Sequence, residues 1–233
     1  MALTPDFDSF AARYEAGENQ LVWTRLAADL DTPVSLMLKL AGPQPLSFLL
    51  ESVTGGEQRG RYSIIGMKPD LVWRCRDGRA EINRTARFDP ERFTPDARPA
   101  LASLRALIAE SRIEMPDDMP PAAAGLFGYL GYDMIRLVEN LGAPNQDPIG
   151  LPDALLTRPS LVAVLDAAKS EVTLVAPAWV EAGVPARAAY AQAAERVMDA
   201  VRDLDRALPG AGREIGAPAP LREAVSHVAK DDA

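Results

Sequence analysis

The alternation of apolar and polar residues divides the chain into short elements of two kinds. Phe7, Phe10, Ala11 and Tyr14 recur at helical spacing and stop at Gly17, predicting a helix over 5–16 with Thr4 as its cap and Pro5 in its first turn. Gln20 to Leu26 alternates with apolar groups on both faces and predicts a strand. Asp31-Thr32-Pro33 repeats the cap-and-proline device ahead of Val34, Met37, Leu38 and Leu40, so a second, short helix ends at Gly42. Two strand signals follow, Leu46 to Val53 and Arg61 to Ile65, separated by the permissive backbone of Thr54, Gly55 and Gly56. Met67 to Asp70 reads as a turn, and Leu71 to Arg76 as a strand. Asp77-Gly78 then signals a hairpin whose return strand is Glu81 to Arg84.

The second half repeats these devices. Phe88 to Pro99 is a proline-bearing loop, Ala100 to Ser111 a helix with Leu101, Leu104, Leu107 and Ile108 in one stripe, and Met115 to Pro121 an irregular segment. Gly125, Gly128 and Gly131 mark a strand that approaches another backbone closely and leads through a tight turn into a helical run over 134–141. Asn145 to Pro159 reads as a loop, and Ser160–Asp166 with Glu171–Ala176 as a hairpin. A long amphipathic helix spans 185–208 until Pro209 and Gly210 stop it. The fold class is therefore α+β, with mostly antiparallel strands and peripheral helices. Residues 1–208 form the folded region, and 209–233, rich in proline and glycine, read as a linker.

Composition narrows the function. A formal charge of −8 over 233 residues, with dispersed arginines, argues against nucleic acid as a partner. No apolar run reaches membrane-spanning length and no basic segment precedes an apolar one, so neither export nor insertion is expected and a cytoplasmic location fits. One cysteine, Cys75, excludes an internal disulfide. The single histidine, His227, lies in the tail, so neither a zinc site nor a Ser-His-Asp arrangement is in prospect, and no catalytic or metal-binding residue is expected in the chain.

Glu51 is the anomaly. It sits at the end of a run that is otherwise mostly apolar, on the face of Ser47 and Leu49. A buried carboxylate needs a cation or several donors. Two readings stand: an ion pair with Arg59 or Arg61 across the hairpin, or a small-molecule site in which Glu51 takes a ligand ammonium and Ser52 supplies a hydroxyl. The N-terminal amides of the helix opened by Pro33 offer a place for a ligand carboxylate, although simple capping by Asp31 or Thr32 accounts for that sequence equally.

Leu49-Leu50-Glu51-Ser52 and Gly60-Arg61-Tyr62-Ser63 resemble the N-terminal region of anthranilate synthase component I, in the chorismate-utilising enzyme family. So do Asp31-Thr32-Pro33-Val34-Ser35, the segment Gly128 to Asp133, and Gly150-Leu151-Pro152-Asp153, in the same order. The resemblance implies the N-terminal half of a sandwich completed by a chorismate-binding catalytic half, which carries the Mg²⁺ ligands and for which this chain has no counterpart. The whole enzyme converts chorismate and ammonia, drawn from a glutamine amidotransferase subunit, into anthranilate and pyruvate under feedback inhibition by L-tryptophan. Carried over by position, the resemblance implies an inhibitor pocket in which Glu51 meets the ammonium and Ser52 makes a polar contact. Pro33 lines the indole, and Arg61 or Tyr62 faces the same pocket. The chain alone is then inactive, an N-terminal fragment or truncated product. Aminodeoxychorismate synthase component I, or a free-standing amino-acid-binding module, are the alternative readings.

Overall fold

The computed structural model describes residues 2–53, 59–142, 147 and 149–208; the predicted linker and the glycine turn after Val53 lie outside the described residues. In order, the elements are α1 (Phe7–Glu15), β1 (Gln20–Ala27), α2 (Pro33–Leu40), β2 (Phe48–Val53), β3 (Arg59–Arg76), β4 (Arg79–Asn83) and β5 (Thr94–Pro95). There follow α3 (Ala100–Glu110), β6 (Phe127–Leu130), a 3₁₀ helix (Tyr132–Leu137), β7 (Ala154–Asp166), β8 (Glu171–Ala178) and α4 (Ala186–Leu204). The strands make one antiparallel sheet in the order β1-β8-β7-β3-β4-β5, with β2 added to β3 and β6 to β7. The expected α+β class with antiparallel strands and peripheral helices is what forms.

Two long strands, β3 and β7, make the spine. Each is shared lengthwise by two shorter partners: β3 takes β2 along its first part and β4 along its last, and β7 takes β6 at its start and β8 at its end. An extra residue in β3 shifts the register between Pro69 and Leu71. Because side chains alternate, one added residue exchanges the faces of everything beyond it. Ile65 and Met67 accordingly pack with Phe10, Leu36 and Val197 beneath α1, α2 and α4, whereas Leu71, Trp73 and Cys75 pack with Leu104 and Leu107 of α3. The sheet is thus covered by three helices on one side and by α3 with the segment around Ala123 on the other.

That bulge corrects one expectation. Met67 to Asp70 does not turn the chain; it lies inside a single 18-residue strand, with Lys68 at φ 50°. Likewise β7 begins at Ala154 and runs through Pro159, which faces Pro69 across the bulge. Proline has no amide hydrogen to give a ladder, and a register shift is where its absence is tolerated. Near the N-terminus the cap of α1 is Asp6, whose carboxylate accepts from the Ser9 amide at 2.8 Å, while Thr4 pairs with Trp23. The helical run expected over 134–141 is reduced to the short 3₁₀ helix. The Asp77-Gly78 hairpin forms as read, with φ of 48° and 72° at its two central residues.

The glycine motif behaves as read at two of its three positions, since a Cβ at Gly125 would meet nothing within 4 Å. At Gly128 a Cβ would lie 1.9 Å from the Leu155 carbonyl oxygen, with φ at 154°. At Gly131 it would lie 2.7 Å from the Asp153 oxygen. The short β6 can lie against β7 because those side chains are missing.

Candidate functional site

The predicted pocket residues sit on three neighbouring elements. α2 starts from a reciprocal cap: the Ser35 amide donates to Thr32 Oγ1 at 3.1 Å and the Thr32 amide to Ser35 Oγ at 2.8 Å, with Pro33 in the first turn. Asp31 accepts from Lys39 Nζ at 2.9 Å and from Ser35 Oγ at 3.0 Å, which fixes the loop ahead of Pro33. Simple capping therefore accounts for the Asp31-Thr32 signal. Leu36 and Leu40 anchor the other side of this helix in the core, next to Leu49 and Ile65.

In the ladder, Leu49 stands opposite Ile65 and Glu51 opposite Ser63, so by alternation Glu51 looks to the side covered by α2. Sequence and structure agree on that face. They part on its environment. β2 is an edge strand, and Glu51 is exposed with no ion pair to any described residue. A carboxylate in water needs no counter-charge, so the cation demanded for a buried Glu51 does not arise. Ser52 lies in β2, but its side chain is outside the described residues, as is that of Arg59.

Arg61 and Tyr62 turn elsewhere. The Arg61 guanidinium donates to both Asp166 carboxylate oxygens, at 2.9 and 2.7 Å, and lies 4.8 Å over the Tyr62 ring. The ion pair expected between Arg61 and Glu51 is therefore replaced by one to Asp166, a partner 105 residues away that spacing does not reveal. The Arg61 hydrogen bonds hold the Asp166 carboxyl below its usual range against the opposing effect of burial. Tyr62 packs with Ile64, Val162 and Val164 on the face away from α2. Of the five predicted residues, the structure brings Glu51 and Pro33 to the same side of the sheet and sends Tyr62 to the other.

Sequence reasoning passed over Ser47. Its hydroxyl, one residue before β2, is buried without a hydrogen-bond partner among the described residues. The alternation that put Ser47 on the face of Glu51 was the available signal. Cys75 is buried beside Trp73, and burial pushes its thiol up, which suits packing rather than nucleophilic work. Among the described residues no group of three or more His, Cys, Asp or Glu side chains could hold a metal ion. No described helix is long and apolar enough to cross a membrane.

No family model matches the chain. Curated relatives do. Anthranilate synthase component 1 of Cereibacter sphaeroides is 67% identical over 93% of the chain, which spans 43% of that relative. The protein of the same name from Thermus thermophilus is 41% identical over 64% of the chain and 30% of its own length. Over 93% of its length, the chain is homologous to part of anthranilate synthase component 1. The Synechocystis member agrees, 32% identical over 89% of the chain and 40% of the relative. Among solved structures, anthranilate synthase component I from Streptococcus pneumoniae matches 80% of the chain and 38% of its own length, with a TM-score of 0.50 at 20% identity, which speaks for the fold alone. The chain thus spans less than half the length of the curated anthranilate synthase sequences it matches.

Proposed function

We propose that the chain is the N-terminal, tryptophan-sensing part of an anthranilate synthase component I. The observation that carries this reading is 67% identity over 93% of the chain to a relative of which it spans 43%. The whole protein, acting in the cytoplasm, joins ammonia from a glutamine amidotransferase subunit to chorismate and releases pyruvate to leave anthranilate, with Mg²⁺ held outside this chain. On this reading this part turns over no chorismate by itself.

Glu51 is the group suited to a ligand ammonium: it is an exposed carboxylate with no ion pair to a described residue, on the side of the sheet where α2 lies. Pro33 offers a rigid apolar wall, and Ser52 a hydroxyl one residue on. Arg61, already held by Asp166, and Tyr62, facing away, brace β3 rather than touch the inhibitor. The exposed side chains of Tyr129, Leu130 and Tyr132 are where the catalytic half would cover this one.

Calorimetric titration of L-tryptophan into the chain, with Glu51→Ala as control, tests whether this half holds the inhibitor alone. In the polypeptide carrying both halves, anthranilate fluorescence should appear with chorismate and an ammonium salt, and Ser52→Ala should raise the tryptophan inhibition constant more than it lowers uninhibited turnover. Identical inhibition constants before and after that change would refute the site. Absence of anthranilate from an otherwise folded two-half protein would refute the activity.

A further inference from the structure

At the other end of the sheet a cavity of about 370 Å³ opens beneath α4, where β8 runs on past its last rung with β7. Tyr14, Phe88, Pro177, Trp179 and Val184 give it an apolar wall. Its charged lining consists of Asp70, Arg84, Arg87, Glu181 and Arg196. Two of these are already engaged. Asp70 accepts from Arg158 at 2.9 and 3.1 Å, and Arg84 donates to both Glu110 oxygens at 2.6 and 2.7 Å.

Arg196 and Arg87 are left without a carboxylate among the described residues. Arg196 Nη2 donates to the Pro177 carbonyl at 2.9 Å, but its Nε is buried with no partner among the described residues. The indole Nε1 of Trp179 is buried and unpartnered as well, its ring stacked 4.3 Å from the Arg158 guanidinium. Burial first, and then the charge of Arg87, push the Arg196 guanidinium below its ordinary range, so the two cations act on one another. A planar guanidinium fork fits an oxyanion, and an anion set between two such forks removes their repulsion and supplies acceptors for the unused donors.

We propose that this cavity binds a small molecule through one oxyanion group, carboxylate or phosphate, clasped by Arg87 and Arg196, with its organic body against Trp179 and Tyr14. The side chains of Arg196 and Trp179 turn their unused N–H groups toward the ligand as it enters. This site is separate from Glu51: Asp70 on the cavity wall is seven residue steps along β3 from Ser63, opposite Glu51, roughly 20 Å of extended chain. Glu181, the lining carboxylate with no ion pair to a described residue, opposes the anion and sets the affinity below what the two arginines alone would give.

The test is calorimetric titration of the chain with inorganic phosphate and, separately, with benzoate, at constant ionic strength in chloride. Saturable binding of at least one is expected, weakened about tenfold or more by Arg87→Ala and lost in Arg196→Gln. Glu181→Gln should tighten it severalfold. Phosphate alone binding assigns the site to phosphorylated ligands, and benzoate alone to carboxylates. Arg87 and Glu181 lie at the surface, so their variants decide the matter even if Arg196→Gln fails to fold. No saturable heat with either anion, or an affinity that Arg87→Ala leaves unchanged, overturns the proposal.

Discussion

The two ends of the β3–β7 ribbon are built from the same pair of strands and finished in opposite ways. Past the bulge, Trp73 is fully buried beneath α3, and its indole donates to Ser103 Oγ at 3.0 Å, which in turn donates to Asp96 at 2.7 Å. Asp96 is held by Arg98 and lies far below the usual carboxylate range. Every polar atom named in that chain has a partner. At the other end β2 has no further strand beside it among the described residues, Leu50 and Glu51 are exposed, and Ser47 has no hydrogen-bond partner among the described residues. A core end is satisfied from within, whereas an end with unmet groups is waiting for something else to complete it.

The sharpest way to break this contrast is Trp73→Ala, which empties the closed end. It should destabilise the fold by about 3–5 kcal/mol, read as a lower urea midpoint at an unchanged slope. Next comes Gly128→Ala: the added methyl meets the Leu155 oxygen in a backbone region reserved for glycine, at a cost of about 1–3 kcal/mol in the same measurement. Protection of the β6 amides in hydrogen exchange should fall with it. The acid limb of stability provides a smaller effect. Asp166 titrates lower in the folded chain than in the unfolded one, so its contribution is present above the ordinary carboxylate range and disappears as pH falls through the folded value. Asp166→Asn should flatten that part of the stability–pH curve and lower the plateau above it, so that wild type and variant converge only in acid. Smallest of all, Glu51→Ala at the open end should move stability by no more than about 0.5 kcal/mol, while removing any heat of tryptophan binding. A large loss of stability there would mean that the edge is a structural contact after all.

Much of this was legible because periodicity reports burial. The stripe of α4, the capped start of α2 and the Asp77-Gly78 hairpin each combine a pattern with a local stereochemical signal, and each forms within a few residues of where it was expected. Lys68-Pro69-Asp70 carries turn residues in the middle of a strand, and only the opposing Pro159 makes a bulge of it; that pairing joins positions 90 residues apart. The site was legible by face but not by depth. Alternation put Glu51 with Leu49, yet whether an edge is covered depends on which strand comes next, and among the described residues β2 has a neighbour on one side alone. The arginine cavity left no trace in the sequence, since Tyr14, Arg87, Trp179 and Arg196 meet only through the fold.

Pro69 and Pro159 meet across the spine of the sheet. Neither can offer an amide hydrogen to the other, so that crossing is bare of rungs in both directions. A bulge bends its strand and adds local twist, so the change-over from the core under α1, α2 and α4 to the core under α3 falls on this one line.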